Sequence, residues 1–282
     1  MIIKQQELIA MLKLVAVDMD GTLLNDAKEM PESTFEIVDC LHKRGIIFAV
    51  ASGRQHLSLQ YLYDEIKDDI VFIAGNGSII IDKGKVIFAD TLDLDFVNEI
   101  VEAVDKFPAL KVILSGLRSA YMFEENILSD MPIELVESHF PVYTIIKSLA
   151  ELPADEEIIQ IAIFDPEYNS KENIYEKLKH FEDRCHLTIS GSEWLDIMNI
   201  GVNKGVGIKK MQAILDATPE ETMVFGDELN DYEMMQQAYY SYAMANAVPK
   251  IKEIANFTAP SNEDEGVIKI LENFLAMTKY DV

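Results

Sequence analysis

Four groups of polar residues have the types and spacing to do chemistry: Asp18-Met19-Asp20-Gly21-Thr22, Ser52-Gly53-Arg54, Lys204, and Gly226-Asp227 followed by Asn230-Asp231. Asp18 and Asp20 stand two residues apart, so a tight turn can bring one carboxylate and the next-but-one group into a common small volume, and two acids there call for a cation. A hard oxygen site with few carboxylates suits Mg²⁺, which keeps several waters and commonly also binds a substrate phosphate; Asp227, from a distant part of the chain, can complete it. A carboxylate is also a competent nucleophile towards phosphorus, splitting one hard displacement into two through an aspartyl-phosphate, and Asp18 is the candidate. Asp20 can then protonate the leaving oxygen in the first step and take a proton from water in the second. A phosphoryl group is itself negative, so Lys204 and the cation must offset the acids while Ser52, Gly53 and nearby backbone N–H groups bind its oxygens. Asn230 is placed to cap the helix that follows and to bind phosphate or water, and Asp231 to orient the waters of the metal.

Each group has a plainer reading when taken alone. An Asp-Gly pair is usually a turn, Ser-Gly-Arg fits a structural turn as well as a phosphate contact, a lone lysine is usually solvated, and Asp227 with Asn230 fits an ordinary helix cap. The joint order argues against these readings, because each group follows a strand-like run or starts a helix, and open α/β sheets bind ligands at the carboxyl ends of their strands. His42, His56, His139, His180 and His186 show no paired metal-ligand spacing, while Met234, Met235 and Trp194 read as packing residues. Cys40 and Cys185 lack CxxC spacing and read as reduced packing residues.

The elements that must position these groups follow from hydrophobic periodicity. Residues 12–17 and 46–51 are short apolar runs ending in the first two polar groups, residues 31–44 show Phe35, Ile37, Val38 and Leu41 at helical spacing, and residues 70–74 give a third strand. That βαβαβ order predicts a parallel sheet. Residues 79–88 read as a hairpin turning at Lys83-Gly84, with a change of texture there, and a mixture of helices and strands then runs to about residue 190. Alternation returns with a helix at 204–215 and a strand at 222–225 ending in Gly226-Asp227. The expected architecture is α/β: a Rossmann-like parallel-sheet core of residues 1–81 and 191–282, and an inserted α+β cap domain of residues 82–190 that selects the substrate and closes over the core.

With these motifs in place, the chain resembles the haloacid dehalogenase superfamily of phosphohydrolases, and particularly its Cof-like group, over nearly its whole length. DMDGTLL is similar to the first motif of the family, ASGR to the second, the NKG containing Lys204 to the third and GDELND to the fourth, with further likeness at GNGS (75–78) and MANAVPKIKEIA (244–255). The resemblance implies Asp18 as nucleophile, Asp20 as general acid/base, and Mg²⁺ held by the Asp18 side chain, the Asp20 backbone carbonyl and Asp227. An acid at the position of Asp20 is the phosphatase pattern; the ion-pumping ATPases of the family have Thr there and its dehalogenases lack the pair. One departure is Glu228, where many relatives carry a small or amide residue, and its charge is expected to alter metal affinity or substrate preference.

Composition narrows the partners. Forty-nine acidic against 24 basic residues give a net charge of −25, which leaves no basic excess to neutralise the phosphates of a nucleic acid or to seek an anionic membrane surface. The apolar runs are of strand length, so no membrane span is expected, and residues 1–12 lack the apolar centre and cleavage site of a signal peptide, which points to the cytoplasm. The expected partner is a small phosphorylated metabolite, a sugar phosphate foremost, acted on by a monomer or weak homodimer. A phosphomutase or dedicated sugar-phosphate phosphatase shares the two aspartates, and a non-catalytic metabolite-binding or phospho-switch protein would keep the site but lose turnover.

Overall fold

The computed structural model describes residues 12–127, 132, 136–137 and 139–277; the signal-peptide reading of residues 1–12 lies outside these but for Leu12. Two compact units result, the first made of Met1–Ser52, Glu65–Val86 and Asn203–Val282 and the second of Gly53–Asp64 and Ile87–Val202. In chain order the strands are β1 (Leu14–Val17), β2 (Ile47–Ala51), β3 (Ile70–Ala74), β4 (Ile79–Asp82), β5 (Lys85–Ala89), β6 (Lys111–Gly116), β7 (Ala120–Phe123), β8 (Tyr143–Ile146), β9 (Ile158–Phe164), β10 (Cys185–Ile189), β11 (Trp194–Asn199), β12 (Thr222–Gly226), β13 (Tyr240–Met244) and β14 (Phe257–Ala259).

The first unit is built on an eight-stranded sheet ordered β14-β13-β12-β1-β2-β3-β4-β5. Its centre is the Leu-Val-Ala-Val of β1, buried on both faces, which is why it reads as a continuous apolar run rather than an alternating one. Burying a leucine such as Leu14 contributes about 1.5–3 kcal/mol relative to leaving it in water. β1 pairs in parallel with both β2 and β12, with Val17 opposite Val50 on one side and Phe225 on the other. That register sets Asp18, Ala51 and Gly226 level at the carboxyl ends of three adjacent strands. Helix Thr34–His42 buries Ile37, Val38 and Leu41, as its periodicity predicts. Helix Lys204–Leu215 opens on Asn203, whose Oδ1 accepts the Val206 N–H at 3.0 Å, and ends on Asp216 in the left-handed conformation.

The second unit carries a six-stranded sheet ordered β10-β11-β9-β6-β7-β8, antiparallel except where β7 runs parallel to β8. Strand alternation sorts its side chains: Val112, Leu114, Ile161, Ile163, Leu195 and Ile197 join one core, while Ile113, Ala162, Phe164 and Trp194 join another.

The observed units differ from the expected boundaries at both junctions. Hairpin β4–β5 extends the first sheet, with β4 antiparallel to β3, instead of opening the inserted domain. Strand β11 lies in the second sheet, so that unit runs to Val202 and not to 190, and it also takes in Gly53–Asp64. The expected helix over 171–183 is three short pieces, Lys171–Tyr175, Glu176–Leu178 and Lys179–Phe181. Cys40 is exposed, not packed, whereas Cys185 is buried and desolvation pushes its thiol up to about 12. Met234, Met235 and Trp194 are buried.

Candidate active site

The first unit brings its acids together at the carboxyl edge of the sheet. Asp18 follows β1, its N–H donating to Phe225 O at 3.0 Å, and its side chain is buried. Lys204, at the start of its helix and with no exposed surface, donates from Nζ to Asp18 Oδ1 at 2.5 Å and to Asp231 Oδ1 at 2.7 Å. The other oxygen of Asp231 accepts the N–H groups of Asp227 at 2.9 Å and Glu228 at 3.1 Å, so one buried carboxylate ties the end of β12 to the lysine. Asp227 is fixed in turn by Thr22, whose Oγ1 donates to Asp227 Oδ1 at 2.8 Å. Between them, Gly21 adopts a left-handed φ of 82°, and a Cβ there would collide with the Asp227 carboxylate. One carboxylate oxygen from each of Asp18, Asp227 and Asp231 lies within 4.8 Å of the others.

Three acids against one lysine leave this cluster short of positive charge. Burial first, and then the Asp231 charge, raise the Asp18 carboxyl well above its ordinary value despite Lys204. Burial and Asp231 likewise push Asp227 up to about 6, opposed by the Thr22 hydrogen bond and Lys204, with Glu228 adding to the rise. For Lys204, burial works against the charge, but Asp18 and Asp231 outweigh it and the ammonium is held well above the ordinary lysine range. The donor set is all hard carboxylate oxygen, buried and under-neutralised, and so fits a hard divalent cation.

The profile of the haloacid dehalogenase-like hydrolases matches residues 15–271. The chain belongs to that family. This hydrolase is 30% identical over 273 residues to the 5-amino-6-(5-phospho-D-ribitylamino)uracil phosphatase YbjI of Escherichia coli (strain K12), covering 94% of this chain and 96% of the relative. It is 25% identical over 276 residues to the Bacillus subtilis (strain 168) phosphatase YitU, which is named for the same substrate, covering 94% and 98% of the two chains. A crystal structure of a Streptococcus mutans UA159 protein superposes with a TM-score of 0.82 at 30% identity, covering 94% of this chain and 99% of that one. The hydrolase is a phosphatase of this family, acting on phosphoric monoesters.

The remaining predicted residues of the hydrolase are placed as follows. Asp20 does not enter the acidic triad with its side chain; its Oδ1 accepts from Lys28 Nζ at 2.9 Å. Ser52 follows β2 directly, buried, with its N–H on Ile73 O and its carbonyl accepting the Asn76 N–H at 3.0 Å. Gly53 belongs to the second unit, where its carbonyl accepts from Gln160 Nε2 at 3.2 Å. Asn230 is not the cap expected of it: Glu228 caps the turn Leu229–Asp231 in a box with Asp231, and Asn230 Nδ2 donates to Asn76 Oδ1 at 3.2 Å. Asp231 lies in the same cluster, its two oxygens engaged by Lys204 and by the N–H groups of Asp227 and Glu228. Sequence reasoning assigned no role to Thr22, Lys28 or Asn76. Thr22 lies within DGT and Asn76 within GNGS, so both were inside motifs already singled out, whereas Lys28 carried no signal.

Proposed function

We propose that this hydrolase is a Mg²⁺-dependent phosphomonoesterase of small phosphorylated metabolites, phosphorylated sugars and sugar-like polyols foremost, working through an aspartyl-phosphate on Asp18. The observation that carries the reading is the buried Asp18 carboxylate held at 2.5 Å by Lys204 beside Asp227 and Asp231, a nucleophile fixed where a cation and an ammonium offset the charge of its target. The likeness to relatives named for a ribityl phosphate supports a polyol-type ester.

In the first step an Asp18 oxygen bonds to phosphorus, the P–O ester bond breaks, and Asp20 gives its proton to the departing oxygen. In the second, water bonds to phosphorus and loses a proton to Asp20, the Asp18–phosphorus bond breaks, and inorganic phosphate leaves with both carboxyls restored. Lys204 steadies the nucleophile, while Ser52 and the Gly53 N–H next to it in the chain, with Asn230, are assigned to the phosphoryl oxygens. Mg²⁺, when held by Asp18, Asp227 and the Asp20 carbonyl with Asp231 behind them, supplies charge neutralisation at the phosphoryl group.

The test is phosphate release across a panel of phosphorylated metabolites with and without Mg²⁺, ranked by kcat/KM, with products identified so that an isomerised phosphosugar would reveal a mutase. Asp18→Asn is expected to abolish release with the fold intact; substantial turnover in that variant would remove Asp18 as nucleophile. Asp20→Asn is expected to slow both steps by about 10²–10⁴-fold, the usual worth of a positioned proton-transfer group.

A further inference from the structure

Residues Met244 to Ala255 take no part in the reaction steps, yet the turn between β13 and helix Pro249–Ile254 holds two of the loops that build the acidic cluster. The Val248 N–H donates to Asp227 O at 2.9 Å, and Asn246 Nδ2 donates to Gly21 O at 2.8 Å. In the sheet β13 and β1 are not neighbours, because β12 runs between them and pairs with both. The Asn246 side chain therefore reaches across the carboxyl end of β12, where Asp227 stands, to the loop after β1. Its amide does this in one orientation only. Asn262 donates its N–H to Asn246 Oδ1 at 3.2 Å, and an N–H can meet only the oxygen end of an amide; the nitrogen end is left for Gly21 O, which can only accept. Asn262, itself buried, also donates from Nδ2 to Leu24 O and Asp26 Oδ1, each at 3.1 Å.

The loop after β1 is folded on itself by the N–H groups of Thr22, Leu23 and Leu24, which donate to Met19 O. Strand pairing brings it near the end of β12 as far as Val17 and Phe225. Beyond that point Asn246 and Thr22 carry the contact: Thr22 Oγ1 donates to Asp227 Oδ1 at 2.8 Å, one residue on from the carbonyl that Asn246 holds. The Asp227 backbone is pinned on both sides, its N–H on Asp231 Oδ2 and its carbonyl by the Val248 N–H, so what remains to be set is the rotamer of the carboxylate, and the Thr22 hydroxyl sets it.

We propose that Asn246 is a positioning residue for the cation site, holding the Gly21–Thr22 turn so that Thr22 keeps Asp227 in the rotamer that meets Mg²⁺; the assignment rests on the Mg²⁺ site proposed for Asp18 and Asp227. The Asn246 side chain is exposed, so its loss takes little from stability, whereas a group that orients a metal ligand is typically worth about 10–100-fold in metal affinity or activity. Asn246 acts on the affinity for Mg²⁺ and leaves turnover at saturating Mg²⁺ close to that of the parent.

The experiment titrates Mg²⁺ calorimetrically into the metal-free parent, Asn246→Ala, Asn246→Gln, Thr22→Val, the double variant Asn246→Ala/Thr22→Val and Asp227→Asn. Melting temperatures and kinetics at saturating Mg²⁺ are measured on the same preparations. Asn246→Ala is expected to weaken Mg²⁺ binding about tenfold, with kcat and the substrate KM at saturating Mg²⁺ within about twofold of the parent. Asn246→Gln keeps the amide donor on a longer arm and is expected to recover most of the affinity. In the Thr22→Val background Asn246→Ala is expected to cost little more, because both act through Asp227. Parent-like Mg²⁺ affinity in Asn246→Ala would overturn the assignment, as would a full additive loss in the double variant. A raised substrate KM with unchanged Mg²⁺ affinity would place Asn246 on the substrate instead. Loss of affinity in Asn246→Gln as deep as in Asn246→Ala, with the melting temperature lowered in both, would reduce Asn246 to a structural residue and overturn it too. If the parent takes up no Mg²⁺, the cation reading is at fault and the assignment falls with it; if the parent binds, Asp227→Asn does not and Asn246→Ala binds like the parent, only the assignment of Asn246 falls.

Discussion

Asp227 sits at about 6 because burial and the Asp231 charge both oppose its ionisation, against an ordinary carboxyl value of 3.8. Below about pH 4 the group is protonated folded or unfolded and costs nothing. Between about 4 and 6 the unfolded chain ionises while the folded one holds its proton, so stability falls as pH rises through that window, and above it the loss stays constant. The size is on the order of 1–3 kcal/mol for a shift of about two pH units. Asp18, raised for the same cause, adds to the effect with the same sign. Asp227→Asn removes the charge and keeps an oxygen for Thr22 Oγ1. With Mg²⁺ chelated it is therefore expected to melt level with the parent at pH 4 and several degrees above it at pH 7.5. Added Mg²⁺ should raise the melting temperature of the parent at pH 7.5 and leave Asp227→Asn unmoved. Thermal melts at the two pH values decide this, and a variant less stable than the parent at both would show that Asp227 is not strained by its surroundings.

The strands place these residues, and the loops after them set the distances. Val17 stands level with Val50 and Phe225, so a shift of β1 by one residue would turn Asp18 away from Lys204 and bury the wrong side chains. Gly21 is the tightest point of the loop after β1, since its left-handed φ and the adjacent Asp227 carboxylate both exclude a side chain. Gly21→Ala is accordingly expected to destabilise the protein by about 1–3 kcal/mol and to lower kcat/KM by roughly a hundredfold, as Asp227 is displaced from Thr22. Denaturant titration and kinetics on the same preparation measure both; kinetics like those of the parent would mean that the loop yields without moving Asp227. The placing strands were legible because a strand buried on both faces reads as an unbroken apolar run: β3 and helix Lys204–Leu215 have the bounds their sequences predict. Other elements were not, for physical reasons. Strand β11 carries Asp196 within it and ends on Asn199, so it lacks the unbroken apolar run of β1, β2 and β3. β8 and β14 are short and half exposed, which leaves little periodicity to read. Lys28 has the pattern of any solvated lysine, because neither its left-handed backbone nor its pairing with Asp20 leaves a mark in the sequence. Glu228 took the cap expected of Asn230 because cap choice depends on backbone dihedrals that two polar residues so close in the chain satisfy equally well in sequence.

At the scale of the whole molecule, a net charge of −25 surrounds a site proposed to take an anion. The local lysine and the cation act over a few ångströms, but a substrate diffusing in from bulk solvent meets the summed field first, and that field repels it. The sign of the salt effect follows. Raising ionic strength from about 10 mM to 150 mM shortens the screening length from about 30 Å to about 8 Å, which weakens the long-range repulsion while leaving contacts inside the site nearly untouched. With Mg²⁺ fixed at saturation, kcat/KM for a phosphomonoester dianion is expected to rise over that range, opposite to the fall seen where attraction steers a ligand, while kcat stays level. The rise should be steeper for a bisphosphate than for a monophosphate, because the repulsion scales with the charge of the ligand. A fall in kcat/KM with salt would mean that the field at the mouth of the site is positive in spite of the global excess, with the Lys204 ammonium and the bound cation outweighing the surrounding carboxylates beyond their own contact distance.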